Sequence, residues 1–596
     1  MIQPILTKIE NFVLHILKWK INYLTNQKFI IFCSFLVGLG AGFMAYLLRS
    51  SVYYTREILH SDFHFNRHWI IILLPIIGIT LTVILKCFLH AQNINYNISD
   101  LLHAISKRKS YIRPHKIYSS VIGATFTAGF GGSVGLESPV IMSGAAIGSS
   151  LGRWFKFSYK EITLLLACGS AGAIAGVFNT PIAAVIFALE VLMLDISRYS
   201  LIPLLISSIT GAITSRLLFS KALILNFPVA EQYATLDLLY FVLLGIFAGF
   251  LSYYFAKIYL FFETQLKKLK KPIYRILIGG IVLGIMLFLF PSLYGEGYDV
   301  TKDILLGNFH KFINNSIFKN SDHGISIVFL FFIVLFLFKV IATSFTINSG
   351  GIGGFIAPSM FTGTMFGVAF VLILNQYTST SLSIINFSLV SMAAMLSGIL
   401  HAPLTSIFLI AEMTKGYQLF LPLMLTATIS YIVSRSLLSN SILTIQLAQK
   451  GELITHNKDR AILSFMQLDN LLETNFSSIH SNAKLRELVE VIAHSNRNII
   501  PVINDEQILL GTIHLNDVRE TIFHTKLYDT VTVNNLMVKP PEIIQYTDNM
   551  KTVIEKFQKT NVWNLPVVYN GKYIGFISKS NMFNEYRKHL LYLSTD

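Results

Sequence analysis

Charge is what this sequence has little of. Of its 596 residues only 13% are Asp, Glu, Lys or Arg, about half the share of an ordinary soluble domain. Its three cysteines, Cys33, Cys87 and Cys168, sit in apolar stretches without metal-ligand spacing, which argues against a disulfide framework or a thiolate metal site. Acids are fewer than bases, 32 against 47, and residues 340–411 contain no Asp, Glu, Lys or Arg at all. Hard divalent cations need clustered oxygen ligands, usually carboxylates, so that stretch speaks against magnesium transport. Enzyme motifs are lacking too. Gly131-Gly-Ser-Val-Gly135 has the spelling of a hydrolase elbow, but it lies in a glycine-rich break between apolar runs, not between a soluble strand and helix. The chain reads as a non-enzyme with no metal site and no nucleic-acid partner.

The shortage of charge is uneven. Residues 457–596 hold 15 Lys and Arg and 15 Asp and Glu, as a soluble domain would, so all of the net +15 falls within residues 1–456. There, apolar runs such as Phe29–Leu48, Trp69–Leu85, Leu238–Ala256 and Ile325–Val340 approach the roughly 20 residues that cross hydrocarbon. The runs 117–151 and 341–374 are instead interrupted by Gly, Pro and Ser. Broken helices survive at membrane depth only where protein buries them or they line a cavity, which points to a transport pathway. Lys8, Lys18, Lys20 and Lys28 precede the first long run without the order of a cleavable signal; basic flanks stay inside, so both termini are expected in the cytoplasm. The excess positive charge has two readings, a topology signal or attraction of anions to pore mouths.

The interrupted runs repeat. Asn179-Thr-Pro-Ile-Ala-Ala-Val-Ile-Phe-Ala-Leu-Glu190 parallels His401-Ala-Pro-Leu-Thr-Ser-Ile-Phe-Leu-Ile-Ala-Glu412. Each follows a glycine-rich break ending in proline: Gly131-Gly-Ser-Val-Gly-Leu-Glu-Ser-Pro139 and Gly350-Gly-Ile-Gly-Gly-Phe-Ile-Ala-Pro358. Matched interruptions in two halves mark a transporter-type site at the repeat interface. Each break reads as a helix start, with Pro139 and Pro358 at the first helical position and Ser138 as N-cap. Bare amides and the helix dipole would draw an anion there; glycine-mediated helix crossing is the competing reading.

Glu137 is the only charged residue between Lys116 and Arg153. A lone carboxylate in an apolar membrane stretch is costly and functional by default. At an anion-binding helix start it can occupy the site as a tethered anion and leave when protonated.

These residues resemble the CLC family of chloride channels and chloride/proton exchangers, from about residue 30 to 450. Gly135-Leu-Glu-Ser-Pro139 is similar to the family's Gly-Arg/Lys-Glu-Gly-Pro loop, and Gly354-Phe-Ile-Ala-Pro358 to its Gly-x-Phe-x-Pro loop. The resemblance implies a homodimer with one anion pathway per subunit, Glu137 as gate, and anion contacts from Gly135, Leu136, Ser138, Phe355, Ile356 and Ala357. Departures fall at Tyr96, in Asn95-Tyr-Asn-Ile-Ser99, where an anion-binding serine is usual, and at Leu443, where a tyrosine is usual. Family exchangers end the Pro181 helix with Glu-Glu, the second being the inner proton relay; here the pair is Glu190-Val191. Valine binds no proton. The expectation is a passive, glutamate-gated chloride channel in the plasma membrane. The alternatives are a chloride/proton antiporter with a non-standard proton path, or a transporter of fluoride or another anion.

The tail repeats as well. Asn498-Ile-Ile-Pro-Val-Ile503 leads to Leu510–Asp517, and Asn564-Leu-Pro-Val-Val568 to Ile574–Asn581, each a strand, turn, strand and helix after an amphipathic helix. This resembles a tandem CBS module, which implies an adenine nucleotide as optional ligand, with His514, Asp517, Ser578 and Asn581 as candidate contacts; no cofactor is required. Neither unit has the family's complete Ser/Thr…Asp pair, so a bracing tail is the competing reading. The expected fold is an all-α polytopic membrane domain with inverted-topology repeats and broken helices, then a soluble α/β tandem CBS domain. Its parts are a cytoplasmic segment 1–27, a transport domain 28–450, a linker 451–465, and CBS units 466–525 and 530–590.

Overall fold

The computed structural model describes residues 26–62, 69–89, 96–107, 109–193, 198–219, 228, 231–318, 324–378, 381–449, 466 and 468–594. The linker 451–465 and all but two residues of the segment 1–27 lie outside them. The chain divides into two units, Met1–Leu453 and Ile454–Asp596.

The first unit is helical, and nine of its helices among the described residues are long and apolar enough to cross a bilayer. The site is built by α1 (Asn26–Asp62), α2 (Lys116–Gly129), α3 (Glu137–Trp154), α4 (Tyr159–Phe178), α5 (Pro181–Glu190), α6 (Ile325–Asn348), α7 (Ile356–Tyr377), α8 (Ile384–Leu400) and α9 (Pro403–Met413). The sequence repeat becomes a structural one, with α2–α5 answering α6–α9 in order. At 10 and 11 residues, α5 and α9 rise only about 15 Å each, half the hydrocarbon thickness. The interrupted runs 117–151 and 341–374 become α2 with α3 and α6 with α7, each broken at its glycine-rich loop.

The repeat extends to individual backbone angles. Gly131 (φ 99°) and Gly350 (φ 115°) adopt positive φ, each eight residues before its proline. Asn179 (φ 57°, ψ 41°) and His401 (φ 56°, ψ 41°) close α4 and α8 in the left-handed conformation, each two residues before its proline. Asn and His are among the non-glycine residues that tolerate this. Helix crossing accounts for some of the small residues: a Cβ on Gly144 of α3 or Gly169 of α4 would strike the other's carbonyl.

Two details of the helix starts differ from expectation. The first helical residues are Glu137 and Ile356, so Pro139 and Pro358 are third, and Ser138 lies inside α3 rather than capping it. The first helical amides have no intrahelical acceptor, so proline is tolerated throughout that turn and does not mark its first residue.

α5 and α9 are joined head to tail by acids. The Ile182 and Ala183 amides donate to the Glu412 carboxylate at 3.1 and 2.8 Å, and the Leu404 and Thr405 amides to Glu190 at 3.1 and 2.7 Å. Each helix thus ends in the carboxylate that satisfies the other's orphan N–H groups.

The tail contains two three-stranded sheets, β1 (Ile479–His480), β2 (Ile499–Ile503) and β3 (Leu509–His514), then β4 (Ile544–Gln545), β5 (Asn564–Tyr569) and β6 (Lys572–Ser578). In each, the first pair is parallel and the second antiparallel. Met466, Leu468 and Leu471, at the start of the tail, pack into the core of the second sheet's unit.

Replacing Glu412 by Ala leaves two helix-start amides without an acceptor. We expect a loss of about 1–2 kcal/mol, the lower range for hydrogen bonds to charge because the site is half-buried, and a similar loss for Glu190→Ala. Thermal unfolding in detergent measures both. Unchanged midpoints would show that water replaces the carboxylates.

Candidate functional site

The two glycine-rich breaks meet. The Gly135 amide donates to the Gly354 carbonyl at 3.1 Å and the Gly354 amide to the Gly135 carbonyl at 2.8 Å. Glycine suits both positions, since a Cβ on Gly354 would press on Ser138 and one on Gly135 on the Glu137 carboxylate. Crossed hydroxyls flank the pair. The Ile352 amide donates to Thr127 Oγ1 at 3.0 Å and the Ser133 amide to Thr346 Oγ1 at 3.2 Å. These contacts bring the starts of α3 and α7 to one place, and with them Gly135, Leu136, Glu137, Ser138, Phe355, Ile356 and Ala357, all buried.

Glu137 is 1% exposed. Its Oε1 accepts the Tyr298 hydroxyl at 2.6 Å, while its Oε2 meets no hydrogen-bond partner among the described residues. A buried carboxylate with one oxygen unsatisfied is expensive; the positive ends of two helices make the position tolerable. An anion of similar size would find the same environment.

Tyr96 and Leu443 lie elsewhere. The buried Tyr96 hydroxyl pairs with Ser119 Oγ at 3.1 Å, and its ring lies 5.7 Å from the Lys86 ammonium and 5.3 Å from that of Lys116. Lys116 is itself ion-paired with Asp100. Leu443 is buried in the turn before the helix Ile445–Gln449, which packs against the helix Ile98–Lys107 that follows Tyr96. Val191 is buried, and its amide donates to the Phe187 carbonyl at 2.9 Å. Beside it, the Glu190 carboxylate is committed to α9.

Sequence reading passed over the groups that surround Glu137. Tyr298 and Glu296 come from Gly295-Glu-Gly-Tyr298, Arg49 from α1 and Lys339 from α6. The Lys339 ammonium donates to the Leu293 and Gly295 carbonyls at 3.3 and 2.8 Å, which holds this segment in place. An acid between two glycines, just after an apolar helix, was the available signal.

In the tail, His514 is exposed at the end of β3 and Asp517 is exposed in the short helix after it. In the second unit the Ser578 hydroxyl donates to Glu473 Oε1 at 2.5 Å, Asn581 Nδ2 to the Leu471 carbonyl at 3.2 Å, and Arg497 pairs with Glu473 at 2.8 Å. The chain's own segment engages the positions expected to meet a ribose.

Residues 78–435 match the model of the voltage gated chloride channel family, and residues 469–524 and 533–588 each match the CBS domain. A putative chloride channel protein, ClcB-like, of Ralstonia nicotianae is 28% identical over 338 residues, 56% of this chain and 73% of that one. The H(+)/Cl(-) exchange transporter ClcA of Vibrio campbellii is 31% identical over 325 residues, 53% of this chain; the match spans 65% of that protein's length. Among solved structures, a CLC-type fluoride/proton antiporter superposes with a TM-score of 0.57 at 24% identity over 70% of this chain and 98% of that one. A eukaryotic CLC transporter superposes with a TM-score of 0.59 at 14% identity over 93% and 97%. At such identities the structures establish the likeness of fold.

For a nucleotide to reach Ser578 it must displace Glu473, and its phosphates would approach a carboxylate. We expect calorimetry of the full chain with ATP or AMP to show no binding tighter than about 1 mM, some −4 kcal/mol. A dissociation constant below about 100 µM would contradict this.

Proposed function

Because the chain belongs to the voltage gated chloride channel family, an integral, multi-pass group of anion transporters and channels, we propose that it is a passive chloride channel gated by Glu137. It works as a homodimer in the plasma membrane, with both termini cytoplasmic. The observation that carries this reading is the buried, half-satisfied Glu137 carboxylate at the joined starts of α3 and α7.

The mechanism follows from one place with two claimants. Ionised, Glu137 occupies the positive environment of the paired helix starts and excludes chloride. Protonated, it loses its electrostatic advantage, and chloride takes its place between the start of α3, lined by Gly135, Leu136 and Ser138, and that of α7, lined by Phe355, Ile356 and Ala357, while the Gly135 amide stays in the loop pairing. No full cation is needed at the centre, which keeps binding weak enough for release. Toward the inner side, the lysine-flanked Tyr96 and the apolar Leu443 border the route, so the inner constriction differs chemically from the family's serine and tyrosine.

The channel reading is supported by what stands where exchangers carry their inner relay: Val191 is apolar, and the Glu190 carboxylate already accepts two amides and the Thr405 hydroxyl. The exchanger reading is favoured by the H(+)/Cl(-) exchange transporter among its relatives. Fluoride is the third candidate, through the antiporter of similar fold. The tail tunes flux and braces the dimer rather than carrying ions, since every pore motif precedes residue 450.

Glu137→Gln tests the gate. It keeps the shape and removes the charge, so chloride flux in reconstituted vesicles should equal or exceed that of wild type and lose most of its pH dependence. Light scattering of the detergent-solubilised variant, giving a particle of two chains, controls for folding. Abolished flux in folded dimers, or an unchanged pH profile, would show that Glu137 is not the gate.

A further inference from the structure

Glu296 is half-buried and lines a cavity of about 310 Å³. Leu136, on the gating loop, lines the same cavity, and its amide donates to Glu296 Oε1 at 3.4 Å. The next residue is Glu137, behind the cavity wall and 1% exposed. Tyr298, two residues after Glu296, donates its hydroxyl to Glu137. One acid therefore stands in the cavity and one behind it. They are joined through the Leu136 peptide on one side and the Glu296–Tyr298 segment on the other.

The cations around Glu296 make their hydrogen bonds and ion pairs elsewhere, although Arg49 shares its cavity wall. From α1, Arg49 donates to the Val177 carbonyl at 3.0 Å, Arg56 is paired with Asp299 at 2.9 Å, and Glu57 adds a like charge on the cavity wall. From α6, Lys339 is held by the Leu293 and Gly295 carbonyls. From its own segment, Tyr294 donates to the Gly129 carbonyl and Tyr298 to Glu137. Among the described residues no cation forms an ion pair with Glu296. The unpartnered Glu137 Oε2 marks the end of this arrangement at which a proton would be gained.

We propose that Glu296 is the proton port of the gate, an acid facing the cavity that exchanges protons between water there and Glu137. The proposal rests on the reading of Glu137 as the gate. In the step, the Glu296 carboxylic acid gives its proton to the Glu137 carboxylate, directly or through an intervening water. Glu296 is left ionised and recovers a proton from cavity water; no charge is created and no other reactant is needed. While ionised, Glu296 also disfavours a second negative charge on Glu137, as like charges do.

The test compares Glu296→Gln, Glu296→Asp and Glu137→Gln with wild type, as chloride efflux from vesicles against pH. Glu296→Gln retains an acceptor for the Leu136 amide, so it should fold and conduct. Its midpoint of activation should fall by about one pH unit, the scale of a unit charge removed several ångströms away in a partly buried site, while Glu296→Asp stays closer to wild type. A midpoint within 0.2 unit of wild type in Glu296→Gln, with Glu137→Gln pH-independent, would overturn the port and leave the gate standing. A Glu137→Gln variant that keeps the wild-type pH profile would overturn both. Loss of flux at every pH in folded Glu296→Gln dimers would place Glu296 in the anion path and also overturn the port.

Discussion

The membrane unit depends on two backbone hydrogen bonds between Gly135 and Gly354. They join the loops before α3 and α7 so that two helix starts share one location. Without the pairing there would be two isolated, weakly positive helix ends; with it there is a single site of about twice the field. Glycine at both positions leaves room for Ser138 and the Glu137 carboxylate, and the threonine contacts from Thr127 and Thr346 hold the loops in register from either side. The low charge of the membrane unit follows from its apolar membrane-crossing helices. An anion site made of amides and dipoles needs no lysine or arginine at its centre, which would bind chloride too firmly to pass it on.

The same economy governs the acids. In this part of the fold each buried carboxylate faces orphan N–H groups, but to different effect. Glu190 and Glu412 are saturated by the helix starts they cap, which fixes α5 and α9 against each other. Glu137 has one tyrosine hydroxyl on Oε1, and its Oε2 meets no well-aligned hydrogen-bond partner among the described residues. Saturation makes the first two structural; the deficit leaves Glu137 poised to move or to take a proton.

Much of this was legible in the sequence, for identifiable reasons. Composition separated the membrane unit from the tail, and proline, glycine and glutamate at matched spacing exposed the repeat. Glu137 stood out because burial of a lone charge is costly wherever it occurs. The reciprocity of Glu190 and Glu412 was not legible, since a carboxylate at a helix end reads the same whether it caps a partner or faces water. Ser138 as N-cap failed because α3 begins one residue earlier, at Glu137, with Leu136 in the cap position and its amide turned to Glu296. Glu296 and Tyr298 escaped notice because their sequence distance from Glu137 conceals a contact that only the folded loops create. Tyr96 was placed by resemblance alone, and the structure gives it a serine and two lysines as neighbours.

We propose that one protonatable carboxylate gates an anion pathway with no inner proton relay, because Val191 and the committed Glu190 stand where a relay would be. Proton movement into vesicles reconstituted with the purified protein, under a steep chloride gradient and no pH gradient, tests it most directly. Chloride flux is expected with no sustained uphill proton movement beyond that of protein-free vesicles. Sustained proton uptake in fixed ratio to chloride would contradict it.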